Sequence, residues 1–181
     1  MTAPVAGKYA RVERERRFLL AGAPDPAGAT AVRRITDRYL TGTRMRLRAV
    51  EQEGVGERVW KLTQKVPAER PGGGAVQGLI TNTYLSEDEY RVFAALEARE
   101  LRKTRLSLPP LGVDVFDGPL AGLVLAEAEF EDDAAAAAFA VPAGTVAEVT
   151  DDPRFTGGAL VRTGRAELIA LLGEFGIGAA G

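Results

Sequence analysis

The stretch Val12–Leu20, VERERRFLL, sets two carboxylates and a guanidinium at alternate positions, Glu13, Glu15 and Arg17. In a β-strand successive side chains point to opposite sheet faces, so these three share one face while Arg14, Arg16 and Phe18 share the other. Two carboxylates placed this way repel and raise each other's pKa unless positive charge lies between them. A divalent metal ion is one such charge; i, i+2 salt links on a solvated strand are the other reading. The alternation returns downstream. TRMRLRAV puts Arg44, Arg46 and Arg48 opposite Met45, Leu47 and Ala49, and RVWKLTQKV puts Lys61, Thr63 and Lys65 opposite Trp60, Leu62 and Gln64. KTRLSL gives Lys103 and Arg105 a shared face, VDVFDG one to Asp114 and Phe116, and LVLAEAEFE one to Glu127 and Glu129.

Which face is buried decides the chemistry. If the apolar sides of Val12, Met45, Leu47, Leu62, Leu106, Val113 and Leu125 pack outward under helices, the charged sides meet across a closed sheet. Seven or eight such strands enclose a water-filled barrel. The competing arrangement is the ordinary one, apolar side chains in and charges in solvent. Against it stands the segregation of sign. The acids sit in the first strand and at Glu127 and Glu129, whereas the middle strands carry cations alone, and solvated faces normally mix signs. A wall of cations calls for a polyanion and a floor of acids for a metal, which together describe a triphosphate with magnesium or manganese.

The elements that hold these residues are short and numerous. Residues 1–8 read as a flexible lead-in, AGAPDPAGAT as a turn region, and VRRITDRYL as a strand ending at Thr41-Gly42. PAERPGGGAVQG, residues 67–78, reads as a mobile loop, and LITNTYL as a strand with Thr81 and Thr83 opposite Asn82 and Tyr84. Ser86 and Glu89 have capping-box spacing and open a helix expected to bury Tyr90, Phe93, Ala94 and Leu96 and to run to about Leu101. The Ala-rich segment 132–140 is helical by propensity, DDPRFTGG is a loop, and GRAELIALLGEF closes the chain as an amphipathic helix carrying Leu168, Ile169, Leu172 and Phe175.

Composition removes whole classes of function. The 181 residues contain no cysteine and no histidine, which excludes disulfides, thiolate or imidazole zinc sites, and His- or Cys-based catalysis. A net charge of -2 with 27% charged residues argues against a nucleic-acid partner, for which a basic pI is expected. No window approaches the ~18 apolar residues of a membrane span, and no apolar leader precedes the first charges. One domain over residues 1–181 and a cytoplasmic location are the expectations; a homodimer is left open.

The charged segments carry a resemblance. ERERRF, Glu13 to Phe18, resembles the E-x-E-x-K signature of the CYTH superfamily, the triphosphate tunnel metalloenzymes. MRLR, KLTQK, KTR, VDVFDGPLAGLVLAEAEFE and EVTDDPRFTGGAL follow in family order, so the likeness spans nearly the whole chain. It implies an α+β, mainly β fold, an eight-stranded antiparallel β-barrel tunnel flanked by helices. By the same resemblance Glu13, Glu15, Asp114, Glu127 and Glu129 are metal-site acids for Mg2+ or Mn2+, hard ions suited to oxygen donors. Arg46, Arg48, Lys61, Lys65, Lys103, Arg105 and Arg154 grip phosphate oxygens, and Arg17, Glu127 and Glu129 form the catalytic group. The implied activity is metal-dependent hydrolysis of tripolyphosphate or of a nucleoside or thiamine triphosphate. A non-catalytic polyphosphate-binding module and a class IV adenylyl cyclase are the alternatives. Five positions depart from the family pattern: Arg17 stands for the signature lysine, Thr81 and Thr83 for an acidic pair, Phe155 for tyrosine and Gly157 for asparagine. Loss of the acidic pair implies a more cationic tunnel.

Overall fold

The computed structural model describes residues 7–68 and 74–178. Of the expected lead-in and loop, residues 1–6 and 69–73 therefore lie outside the described residues. Among the described residues nine strands form: β1 (Arg11–Leu20), β2 (Ala31–Leu40), β3 (Met45–Gln52), β4 (Arg58–Pro67), β5 (Val76–Leu85), β6 (Ala98–Leu108), β7 (Leu111–Phe116), β8 (Val124–Glu129) and β9 (Thr145–Glu148). The antiparallel order is β5-β4-β3-β2-β6-β7-β8-β1, and Arg11–Arg14 of β1 pair back onto β5, which closes an eight-stranded barrel. The second half of β1 carries β9 on the same edge, through Phe18↔Glu148 and Leu19↔Ala147. Closure leaves almost no free edge, and the period-2 strands can then send one set of side chains inward and the other outward.

Both faces are used. Outward, Phe18, Leu106, Val113, Val124 and Ala126 make one buried cluster, and Leu40, Leu47 and Leu62 make another beneath α1 (Glu87–Ala94). Arg14 and Arg16 also point away from the barrel interior, to Asp133 at 2.9 Å and Glu148 at 2.7 Å. Inward, the charged positions continue along the same strand faces into apolar ones at one barrel end. Leu19, Leu101, Phe116 and Leu125 meet Phe155, Leu160 of α3 (Gly157–Leu160), and Leu168, Leu171 and Leu172 of α4 (Arg165–Glu174). Leu125, expected on the outer side, shares the face of Glu127 and belongs to this interior plug. So the barrel is charged over part of its length and filled with hydrocarbon over the rest. Val12, also expected to pack outward, is 45% exposed.

Helix boundaries differ from expectation where tertiary pairing overrides propensity. The capping box forms, with Glu89 N donating to Ser86 Oγ at 3.2 Å and Ser86 N to Glu89 Oε2 at 2.7 Å. Yet α1 ends at Ala94, well short of Leu101, because residues from Ala98 pair with ten consecutive residues of β2; Leu96 is left 51% exposed. The 132–140 segment folds as the short α2 (Asp133–Ala138), with Asp132 as its side-chain cap. In α4 the buried stripe is Leu168, Leu171 and Leu172, while Ile169 is 41% exposed. The segment read as a loop after Asp152 holds a 3-10 turn, Pro153–Phe155, and α3. The residues up to 78 do not all stay in the loop either, since β5 begins at Val76.

Candidate functional site

The inward faces of the strands enclose a cavity of about 830 Å³. Glu13, Glu15 and Arg17 reach it from β1, Arg46 and Arg48 from β3, and Lys61, Thr63 and Lys65 from β4. Lys103 and Arg105 of β6 and Glu127 and Glu129 of β8 complete its charged lining. Alternation runs without a slip across the β1–β8, β3–β4, β6–β7 and β7–β8 pairings, and the one irregularity of β1 against β5 falls between Glu13 and Arg14 and leaves Glu13 inside. Charges are therefore inside, as one of the two sequence readings required.

The interior acids are held by interior cations. Lys65 Nζ lies 2.9 and 3.0 Å from the two oxygens of Glu13. Arg17 donates to Glu15 Oε1 from Nη2 at 2.5 Å and from Nε at 3.2 Å, to Gln77 Oε1 at 3.0 Å, and stands 3.9 Å from Glu127. Asp114, fully buried, takes Lys103 at 2.5 Å and a two-bond fork from Arg105 at 2.7 Å each; Arg105 also bonds Glu127. Asp37 takes a second fork from Arg48, at 2.6 and 2.7 Å, with Arg46 Nε 3.5 Å away.

Protonation follows from this crowding. Burial, then Glu127, pushes the Glu15 carboxyl up, and Arg17 only partly offsets them. Burial also works to raise Asp37 and Glu127, but Arg48 and Arg46 beside the one, and Arg105 and Lys103 beside the other, hold both well below the usual carboxylate range. Burial lowers Lys103 despite Asp114. Lys61, facing Arg48 in register, is lowered by burial and then by Arg48 and Arg46, to about 8.

No protein-family model and no curated protein matches the chain. Among solved structures, one of NE1496, described as a hypothetical protein, is 31% identical, with 82% of this chain and 97% of that one covered and a TM-score of 0.52. A second structure of NE1496, described as an inorganic triphosphatase, is 29% identical over 82% of this chain and 93% of that one, again with a TM-score of 0.52. This chain belongs to the CYTH superfamily. PH1819 from Pyrococcus horikoshii OT3 is 15% identical over 91% of this chain and 90% of that one, with a TM-score of 0.47.

Within this CYTH barrel most of the expected site residues come together, and two do not line the cavity. Arg154 lies on the surface, bound to Asp152 at 2.7 Å and to Glu174 at 2.8 Å. Asp114 is sealed behind Lys103 and Arg105, so its carboxylate orients cations. The expectation about Thr81 and Thr83 is corrected as well. Residues opposite each other in a ladder point to the same side, and Lys61, Thr63 and Lys65 face Tyr84, Asn82 and Ile80. These three line the cavity while Thr83 is exposed, so the threonines alter no charge inside; Thr63 Oγ1 bonds Asn82 Oδ1 at 2.7 Å.

The other departures have local causes. Phe155 is buried in the apolar plug, 5.7 Å from Phe175, and its backbone oxygen accepts from Arg17 Nη1 at 3.4 Å. Gly157 is required by proximity, since a Cβ there would come within 1.9 Å of Tyr39 Oη.

Sequence reasoning missed two residues of consequence. Asp37 stands in the quoted VRRITDRYL, on the face of Ile35 and Tyr39, and that alternation was the signal available. Gln77, which receives Arg17, lay inside the presumed loop.

The donor set suits a hard divalent cation. It is all carboxylate oxygen, and Glu15 faces Glu129 in register across β1 and β8. Among the described residues no three acids are gathered on a single point, because Glu13, Glu15 and Glu127 are each turned to a cation.

Proposed function

We propose that this protein is a metal-dependent hydrolase of triphosphate-bearing substrates, acting on tripolyphosphate or on a nucleoside or thiamine triphosphate held in the barrel cavity. The observation that carries this reading is the excess of cations on the β3–β4 wall. There Arg46, Arg48 and Lys61 crowd one acid, Asp37, and among the described residues the buried Arg46 Nε has no hydrogen-bond partner. A buried donor without an acceptor is costly, and a phosphate oxygen is the acceptor it lacks. NE1496, similar to this chain and described as an inorganic triphosphatase, supports the same substrate class.

In this reading Arg46 and Lys61 anchor one phosphate, and Lys65, Lys103 and Arg105 take oxygens further along the chain. Glu13, Glu15, Glu127 and Glu129 would hold Mg2+ or Mn2+, which supplies Lewis-acid charge at the phosphoryl being transferred. Arg17, buried between Glu15 and Glu127, cannot lose its proton at neutral pH; its part is to orient oxygens and carry charge. Catalysis is then positioning and electrostatic stabilisation of an in-line attack by water.

Orthophosphate release from tripolyphosphate, ATP and thiamine triphosphate, each with Mg2+ and with Mn2+, tests the reading. Metal-dependent release from at least one of them is the expected result. Thermal stabilisation by tripolyphosphate without turnover would favour a binding module, a reading to which the capture of every β1 acid by a cation gives some support.

A further inference from the structure

Four of the interior acids are each paired with a cation, whereas one wall carries more cations than acids. Glu13, Glu15, Asp114 and Glu127 are matched by Lys65, Arg17, Lys103 and Arg105. On the β2–β3–β4 wall three cations, Arg46, Arg48 and Lys61, share Asp37 alone, and among the described residues Lys61 has no ion-pair partner. Asp37 is 0% exposed and lies in register with Arg48. Its two oxygens take the Nε and Nη2 edge of that guanidinium, one of the two edges with which an arginine can grip a phosphate by parallel bonds.

We infer that Asp37 is a built-in counter-ion that limits how tightly this wall retains a single phosphate: by occupying Arg48 it leaves an incoming anion only Arg46 and Lys61 there. The inference rests on the triphosphate reading of the same cavity. A condensed chain reaches beyond the wall to Lys65 and Arg105, whereas orthophosphate, the product of hydrolysis, does not. Without Asp37, three neighbouring cations would hold any small anion as their neutralising partner, and product would linger. A residue that merely braces Arg48 would act in the opposite sense, since its removal disorders the site and weakens every anion. The sign of the effect separates the two roles.

The test is calorimetric titration of orthophosphate, sulfate and tripolyphosphate into metal-free wild type and Asp37→Asn at one ionic strength, with thermal unfolding as a check on the fold. Orthophosphate and sulfate are expected to bind about tenfold more tightly to the variant, the effect of one uncompensated charge at short range. Equal or weaker binding in a folded variant overturns the inference. Asp37→Glu, which restores the charge, is expected to return the affinity to that of wild type. Should Asp37→Asn fail to fold, Asp37→Asn/Arg48→Gln replaces the ion pair with two amides at unchanged net charge. Its orthophosphate affinity is expected within about threefold of wild type, and a loss of tenfold or more would mean that Arg48 meets phosphate despite Asp37. If wild type itself ignores tripolyphosphate, the triphosphate reading fails, while the sign measured with sulfate still decides the role of Asp37.

Discussion

Lys65 on β4 holds both carboxylate oxygens of Glu13 on β1, at 2.9 and 3.0 Å, across the intervening strand β5. A cation that would grip phosphate thus occupies an acid that would hold metal. Phosphate drawing Lys65 away frees Glu13, so the two ligands should favour each other's binding, and by linkage the coupling is reciprocal. Lys65→Met is expected to weaken tripolyphosphate binding by about tenfold and to tighten Mn2+ binding in the absence of phosphate. Calorimetry reads both. Unchanged Mn2+ affinity would show that Glu13 is not restrained by Lys65.

Glu127 receives Arg105 and stands 3.9 Å from Arg17, where it would meet a metal and the transferred phosphoryl together. Glu127→Gln should lower metal-dependent turnover by 100-fold or more, in the range seen when one charge-stabilising group is removed, with the fold retained at a lower melting temperature because Arg105 loses one of its two carboxylate partners. Undiminished turnover would remove Glu127 from the metal site.

Lys61 supplies the pH dependence. Its folded pKa, lowered by burial and then by Arg48 and Arg46 to about 8, means that the ammonium present at pH 7 is lost as pH rises through 8 to 9. Anion affinity should fall over that window. Lys61→Gln should bind more weakly at pH 7 and lose the inflection, and comparison of the two proteins cancels the ionisation of the phosphate itself. An identical inflection in both would assign the titration elsewhere.

Gly157 fits against Tyr39 with no room for a methyl group, a Cβ falling 1.9 Å from the hydroxyl. Gly157→Ala should destabilise the fold by about 1–3 kcal/mol, as overpacking does, and should displace Tyr39, the register partner of Arg46. A melting temperature equal to that of wild type would mean that Tyr39 moves freely.

Alternation made much of the barrel legible. In β3, β4 and β8 one face is charged and the other largely apolar, so the period of two separated the sides without knowledge of any neighbour, while in β1 and β6 charges stand on both faces. β5 defeats this, because both of its faces mix polar and apolar residues. Only the register with β4 shows that Asn82 and Tyr84 point inward in place of Thr81 and Thr83. Asp37 was hidden in a strand judged by its apolar residues, and its partner Arg48 lies on the next strand, where only the hairpin register brings the two together. ALEARELR has the composition of a helix, yet the hydrogen-bond ladder with β2 claims it from Ala98 onward. β9 and α3, at four residues each, are too short to show a period.

The claim that a condensed phosphate chain lies among these inward charges is tested most directly by titrating tripolyphosphate into the metal-free protein. One site per chain is predicted, weakening steadily as salt is raised. In Arg46→Gln/Lys61→Gln the affinity should fall by about 100-fold or more, two charge-assisted contacts being lost. Absence of binding in wild type, or equal binding in the double variant, would contradict the account.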